Sequence, residues 1–158
     1  MNEAVTEAPL AATPEMQEQY AEAVAPNFPL AVAAGAGAAV VGAILWAVVG
    51  YVTNMELGLV AIAVGALVGI AVQGAGKGSD QRFAFIGAAF AALGWALGTV
   101  LCDVAFLAKA TGQPLLDVVT RVGISDSVAL AIRASDAMDL LFLAIAVWEG
   151  YKFSIRRR

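Results

Sequence analysis

Apolar residues in this chain fall in long blocks and do not alternate with polar ones. Residues 29–52 carry no charge, and apolar stretches follow at 55–74 and 83–107. About 20 predominantly apolar residues are enough to cross a bilayer as a helix. Each block therefore predicts a transmembrane helix. A fourth block, between Arg133 and Glu149, is shorter and holds Asp136 and Asp139. Runs of that length are often interfacial or re-entrant. A helix over residues 135–155 still spans if Glu149 and Lys152 reach towards the headgroups. The pattern predicts an all-α polytopic membrane protein with four transmembrane helices. Three spans plus an interfacial helix is the alternative.

The segments between blocks carry turn and start signals. Thr53-Asn54-Met55-Glu56 reads as a tight connection, with Asn54 as the N-cap of the second span. Gly112-Gln113-Pro114 is a break. Beyond it, Leu115, Leu116, Val118, Val119 and Val122 interleave with Asp117 and Arg121, and Ser125-Asp126-Ser127 is another start signal. Residues 113–133 thus read as an amphipathic segment, lying at the membrane surface or packed on the bundle. Residues 1–27 form an acidic tail, with residues 1–12 disordered. It holds a short helix started by Thr13 and Pro14 and ended by Pro26. Domain organisation is then a tail followed by a transmembrane domain over 28–158.

Composition agrees with this division. Hydrophobic residues make up 61% of the chain and charged ones 14%, against roughly half and a quarter in soluble domains. The 158 residues include no histidine and one cysteine, Cys102. That excludes histidine metal sites, Ser-His-Asp or Cys-His catalysis within the chain, and an internal disulfide. Glu3, Glu7, Glu15, Glu18 and Glu22 precede the first apolar block, where a secretory signal peptide would carry positive charge. No basic face for nucleic acid is visible. With four spans, Lys77, Arg82, Lys152, Arg156, Arg157 and Arg158 share one side, and Lys109, Arg121 and Arg133 the other. The positive-inside rule then places the C-terminus in the cytoplasm. Trp46, Trp148, Lys152 and the terminal arginines are the expected membrane anchors, able to meet aromatic-belt and anionic-lipid positions.

Residues 73–82, QGAGKGSDQR, invite comparison with a phosphate-binding loop. A Walker A loop needs Ser or Thr after its lysine and a preceding strand. Here Gly78 follows Lys77, an apolar span precedes, and Ser79 replaces the third glycine of a dinucleotide fingerprint. The stretch reads as a flexible glycine turn. The glycines inside the spans are more informative. Gly35 and Gly42 in the first span, Gly58, Gly65 and Gly69 in the second, and Gly87, Gly94 and Gly98 in the third recur at helical spacing. Small residues let helix backbones approach in lipid, where burial alone gives no drive. These seams pack spans within one chain, or at least one of them is an oligomer interface. Asp103, Asp136 and Asp139 come to the same side with four spans. They could meet a cation or proton, or simply pair with Lys109 or Arg133 and cap a helix.

Gly58, Ala61, Gly65, Gly69, Val72 and Gly76-Lys77-Gly78, with Phe83, Gly87 and Gly94 beyond, resemble small bacterial multi-span membrane proteins with a glycine-rich hairpin. Asp139-Leu140-Leu141-Phe142 and Glu149-Gly150-Tyr151-Lys152 are similar too. The resemblance covers roughly residues 40–153 and implies a helical protein of the bacterial inner membrane. It carries no catalytic residue and no cofactor. The expected function is a non-enzymatic structural or accessory subunit, with the lipid bilayer, itself or other membrane subunits as partners. The alternative is a small cation channel or transporter using the acidic residues near the outer face.

Overall fold

The computed structural model describes residues 13–17, 25–54, 58–118, 120–121 and 136–155. Its framework is four helices: α1 (Phe28–Thr53), α2 (Gly58–Gly76), α3 (Gln81–Thr111) and α4 (Ala137–Phe153). Among the described residues there is no strand. In hydrocarbon every backbone polar group must be satisfied within the protein, which selects helices and makes their ends the delicate points.

Those ends are capped by residues the sequence supplies locally. Leu30 N donates to Asn27 Oδ1 at 3.0 Å, and Pro29 sits in the first turn of α1, where no N–H is needed. α1 ends at Asn54, whose left-handed backbone (φ 55°) sends its N–H back to Gly50 O. Asn54 was expected to start the second span; it terminates the first instead, since asparagine tolerates that conformation. Gly112 closes α3 in the same way, at φ 65°. At the start of α4, Asp136 accepts from Met138 N and Asp139 N while Asp139 Oδ2 accepts from Asp136 N, a complete capping box.

The glycine turn 76–80 is packed, where the sequence read as flexible. Lys77 adopts φ 50° and its N–H returns to Gln73 O. The Phe83 ring occupies the space where a side chain on Gly78 would stand. Asn27 N donates to Gly76 O at 2.9 Å, tying the entry of α1 to this turn. The stretch joins the C-terminal end of α2 to the N-terminus of α3, where the carboxylate-bearing Asp80 holds the N-cap position.

α1, α2 and α3 are each long and apolar enough to cross a bilayer. α4 has 17 residues, about 26 Å at a rise of ~1.5 Å per residue, against a ~30 Å hydrocarbon core. Its neighbours fix where it lies along the bundle. Phe142 lies on Gly58, Ala146 on Gly65 and Phe153 on Gly69, and Gln73 Nε2 donates to Ile155 O at 3.0 Å. α4 therefore runs parallel to α2 and alongside nearly all of it. α1 runs antiparallel to α2 and parallel to α3, as Ala31 against Gly76 and Trp46 against Gly98 show. α2 and α3 form the centre. The backbones of α1 and α4 do not approach each other closely, and the two helices flank that pair on separate sides. One end of the bundle gathers Asn27, Lys77, Arg82 and Ile155; the other gathers Asn54, Lys109 and Asp136.

Residues 115–118 and 120–121, in the segment read as amphipathic, are helical, and Val118 buries against Val104 and Ala108 of α3. The remaining expectations for residues 122–135, including Ser125, Asp126, Ser127 and Arg133, lie outside the described residues. So do those for Glu56, for residues 1–12 and 18–24, and for Arg156, Arg157 and Arg158. Thr13 does begin a helical turn, with Met16 N donating to its Oγ1.

Candidate functional site

The polar and small residues singled out by sequence fall into three places. The first is the interior seams. Each of the eight span glycines faces an atom of another helix in the same chain. On the α1 side the nearest of these atoms belong to side chains. A Cβ on Gly35 would lie 2.7 Å from Phe90 Cδ2 and 2.9 Å from Val72 Cγ2. Val64 Cγ1 fills the space beside both Gly42 and Gly94, at 2.8 and 2.9 Å, and the Trp46 ring covers Gly98. On the α4 side backbone atoms also stand close, alone at Gly65 and beside side-chain atoms at Gly69, Gly87 and Gly150. A Cβ on Gly65 would meet the carbonyl oxygen of Ala146, with its carbonyl carbon and Cα at 2.8 Å. One on Gly87 would meet Gly150 O and Ser154 Oγ, and one on Gly150 would stand 2.6 Å from Ala91 Cβ and 2.7 Å from Gly87 O. Gly69 faces Phe153 Cβ and the carbonyls of Glu149 and Gly150. Gly58 is the exception on this side, lying under the Phe142 ring.

Trp46 was expected at the membrane interface and is instead buried, at 6% exposure. A glycine opposite makes a hole that an indole ring fills, and burial there outweighs the interfacial preference of an amphipathic ring. Trp46 shares a core with Ala61, Cys102 and Ala146.

The second place is the end bearing Lys77. Trp148 is 62% exposed and stacks on Tyr151, with ring centroids 6.4 Å apart, while Phe85 meets Tyr151 edge-on at 6.0 Å. Lys152 pairs with Glu149 at 3.8 Å and lies over the Phe153 ring. Exposed rings beside a lysine at a helix end are what a headgroup region accommodates. Phe85 was absent from the sequence reading; only its place near Tyr151, 66 positions away, reveals the cluster.

The third place is the opposite end. Asp136 and Asp139 turn oxygens to each other's backbone in the capping box. Asp103 lies on α3, half-buried, with Oδ2 enclosed by protein. Among the described residues no group of three His, Cys, Asp or Glu side chains is placed to hold a metal ion. Lys109, a candidate partner for Asp103, donates to Tyr51 O at 2.9 Å and stands 4.8 Å from the Tyr51 ring centroid. It thereby satisfies a last-turn carbonyl of α1 and complements the negative end of that helix. Sequence gave no signal for this bridge, whose members are 58 residues apart.

Fold and geometry together define an all-α, multi-pass membrane protein whose helices meet through glycines. Comparison with family models, with curated proteins and with solved structures finds no match to the chain.

Proposed function

We propose that this chain is a non-enzymatic integral membrane subunit that works by self-association or as part of a larger membrane complex. The observation that carries the reading is where the polar side chains go. Gln73, Thr99, Lys109, Thr111 and Ser154 donate to backbone carbonyls, and Asp136 and Asp139 accept from backbone N–H groups. Such groups hold helices and their ends in place. The interior glycines are occupied by the chain's own helices, so contact with another subunit falls to outward faces. α1 offers Ala33 and Gly37, exposed and four residues apart, and nothing lies within 4 Å of where a side chain on Gly37 would be. Paired small residues of this kind allow close approach of a second helix in lipid.

Crosslinking in membranes tests this. Dimers or higher species are expected, and Gly37→Leu is expected to weaken them while leaving the monomer folded. A strictly monomeric chain that co-purifies with no other membrane protein in mild detergent contradicts the reading. The location that goes with it is a bacterial inner membrane, with the Lys77, Arg82 and Lys152 end in the cytoplasm. The basis is the positive-inside rule and the resemblance noted above. Reporter fusions at the two termini test that orientation.

A second reading, a small cation channel or transporter, rests on Asp103, a carboxylate on a spanning helix. It requires cation flux in liposomes that Asp103→Asn reduces.

A further inference from the structure

Between the C-terminal halves of α1 and α3 lies a cleft of about 560 Å³. That is within the ~300–1,000 Å³ of cavities that hold small molecules. Its floor is Val104, Ala105 and Ala108, all buried, and its outer wall is the exposed stripe Ile44, Val48 and Tyr51. Above it, Trp46 lies on Gly98 and closes the α1–α3 contact, so the cleft begins where the glycine seam stops. Residues 112–115 line the far end. From Leu101 to Gly112 the α3 wall rises roughly 16 Å at ~1.5 Å per residue, close to half of a ~30 Å hydrocarbon core. An apolar slot one leaflet deep, on helices that cross a bilayer, faces hydrocarbon chains.

Its polar end carries charge. Lys109 and Gln113 line the cleft where it reaches the end of the bundle. The Lys109 ammonium gives one N–H to Tyr51 O and has three to give. Its position is held by that bond and by the Tyr51 ring beneath it. Among the described residues, two of its N–H groups are left to meet an anionic oxygen directly above an apolar slot.

We infer that this cleft is a binding site for one anionic phospholipid of the leaflet on the Lys109 side. An acyl chain lies between α1 and α3 and the phosphate rests on Lys109. A protein helix is the other conceivable occupant. The charge at the mouth and the one-leaflet depth favour the lipid.

Native mass spectrometry of the full chain, released from mild detergent with added dioleoylphosphatidylglycerol or dioleoylphosphatidylcholine, tests this. One phosphatidylglycerol is expected to be retained about fivefold more tightly than phosphatidylcholine, the factor that one lysine's attraction for an anionic headgroup corresponds to. Lys109→Gln is expected to remove that preference while apolar retention persists. Val48→Trp, on the exposed wall and clear of the core, is expected to lower retention of both lipids. Leu59→Trp, exposed on α2, is expected to change neither. Equal retention of the two lipids by the native chain would overturn the proposal. So would unchanged retention in Val48→Trp, or retention of neither lipid, which would leave the cleft to a protein helix.

Discussion

α1 and α4 flank the same central pair, α2 and α3, yet they meet it by different means. α1 approaches across side chains: Phe90, Val72, Val64 and its own Trp46 fill glycine holes, as knobs in sockets. α4 approaches backbone to backbone at Gly65, Gly87 and Gly150, with Ala146 O and Gly87 O against neighbouring main chain. The difference follows from length and composition. α1 has 26 residues and buries Ala31, Gly35, Ala39, Gly42, Ala43, Trp46 and Gly50, a small-residue face that receives Phe90, Val72 and Val64 from its neighbours and adds Trp46 of its own. α4 has 17, buries only Ala146 and Gly150 along its length, and gains dispersion contact by coming close. A GxxxG pattern is therefore two different objects in this molecule. At Gly94 and Gly98 it is a pair of sockets; at Gly65 it is a contact with the main chain of another helix, and at Gly69 two carbonyls of that helix stand behind Phe153 Cβ.

The comparison can be broken by substitution. Gly65→Ala should have the largest effect, about 3 kcal/mol, near the top of the usual range for overpacking. Its methyl would strike atoms that no rotamer change can move. Ala146→Gly should not rescue it, because the obstacle is carbonyl and Cα. Gly42→Ala should cost less, about 1 kcal/mol, because Val64 can yield. Val64→Ala should relieve most of that, a coupling that a double-mutant cycle reads directly. Removing the capping box with Asp136→Ala should cost about 1 kcal/mol and loosen the start of α4, visible as faster amide exchange over its first turn. The smallest change should come at Gly37, which has open space. Gly37→Ala should be neutral or stabilise by up to ~1 kcal/mol through helix propensity alone. All four read out as shifts in unfolding midpoint in a denaturing-detergent titration.

Much of this fold was legible in the chain. The three long helices lie within a few residues of their apolar blocks because hydrocarbon permits no other solution for those stretches. The place of α4 was not legible. Its apolar run is ambiguous by length, and its place beside α2 and α3 shows only in the contacts it makes with them. The eight glycines were recognisable as contact positions from spacing, but spacing does not tell whether a ring, a valine or a carbonyl stands opposite. Trp46 shows the same limit, since its place depends on Gly98 on another helix. Asn54 was recognisable as a cap, though not of which helix, because left-handed geometry and N-cap preference favour the same residue type. The bridge from Lys109 to Tyr51 and the cleft below it arise only when α1 and α3 lie side by side.

The most direct test of the two-mode packing is a paired measurement of Gly65→Ala and Gly42→Ala in the same membrane-mimetic unfolding titration. Packing of backbone on backbone at α4 and of side chain on backbone at α1 predicts a loss at Gly65 about three times that at Gly42, with rescue by Val64→Ala at Gly42 alone. A loss at Gly42 equal to or greater than that at Gly65 would contradict it.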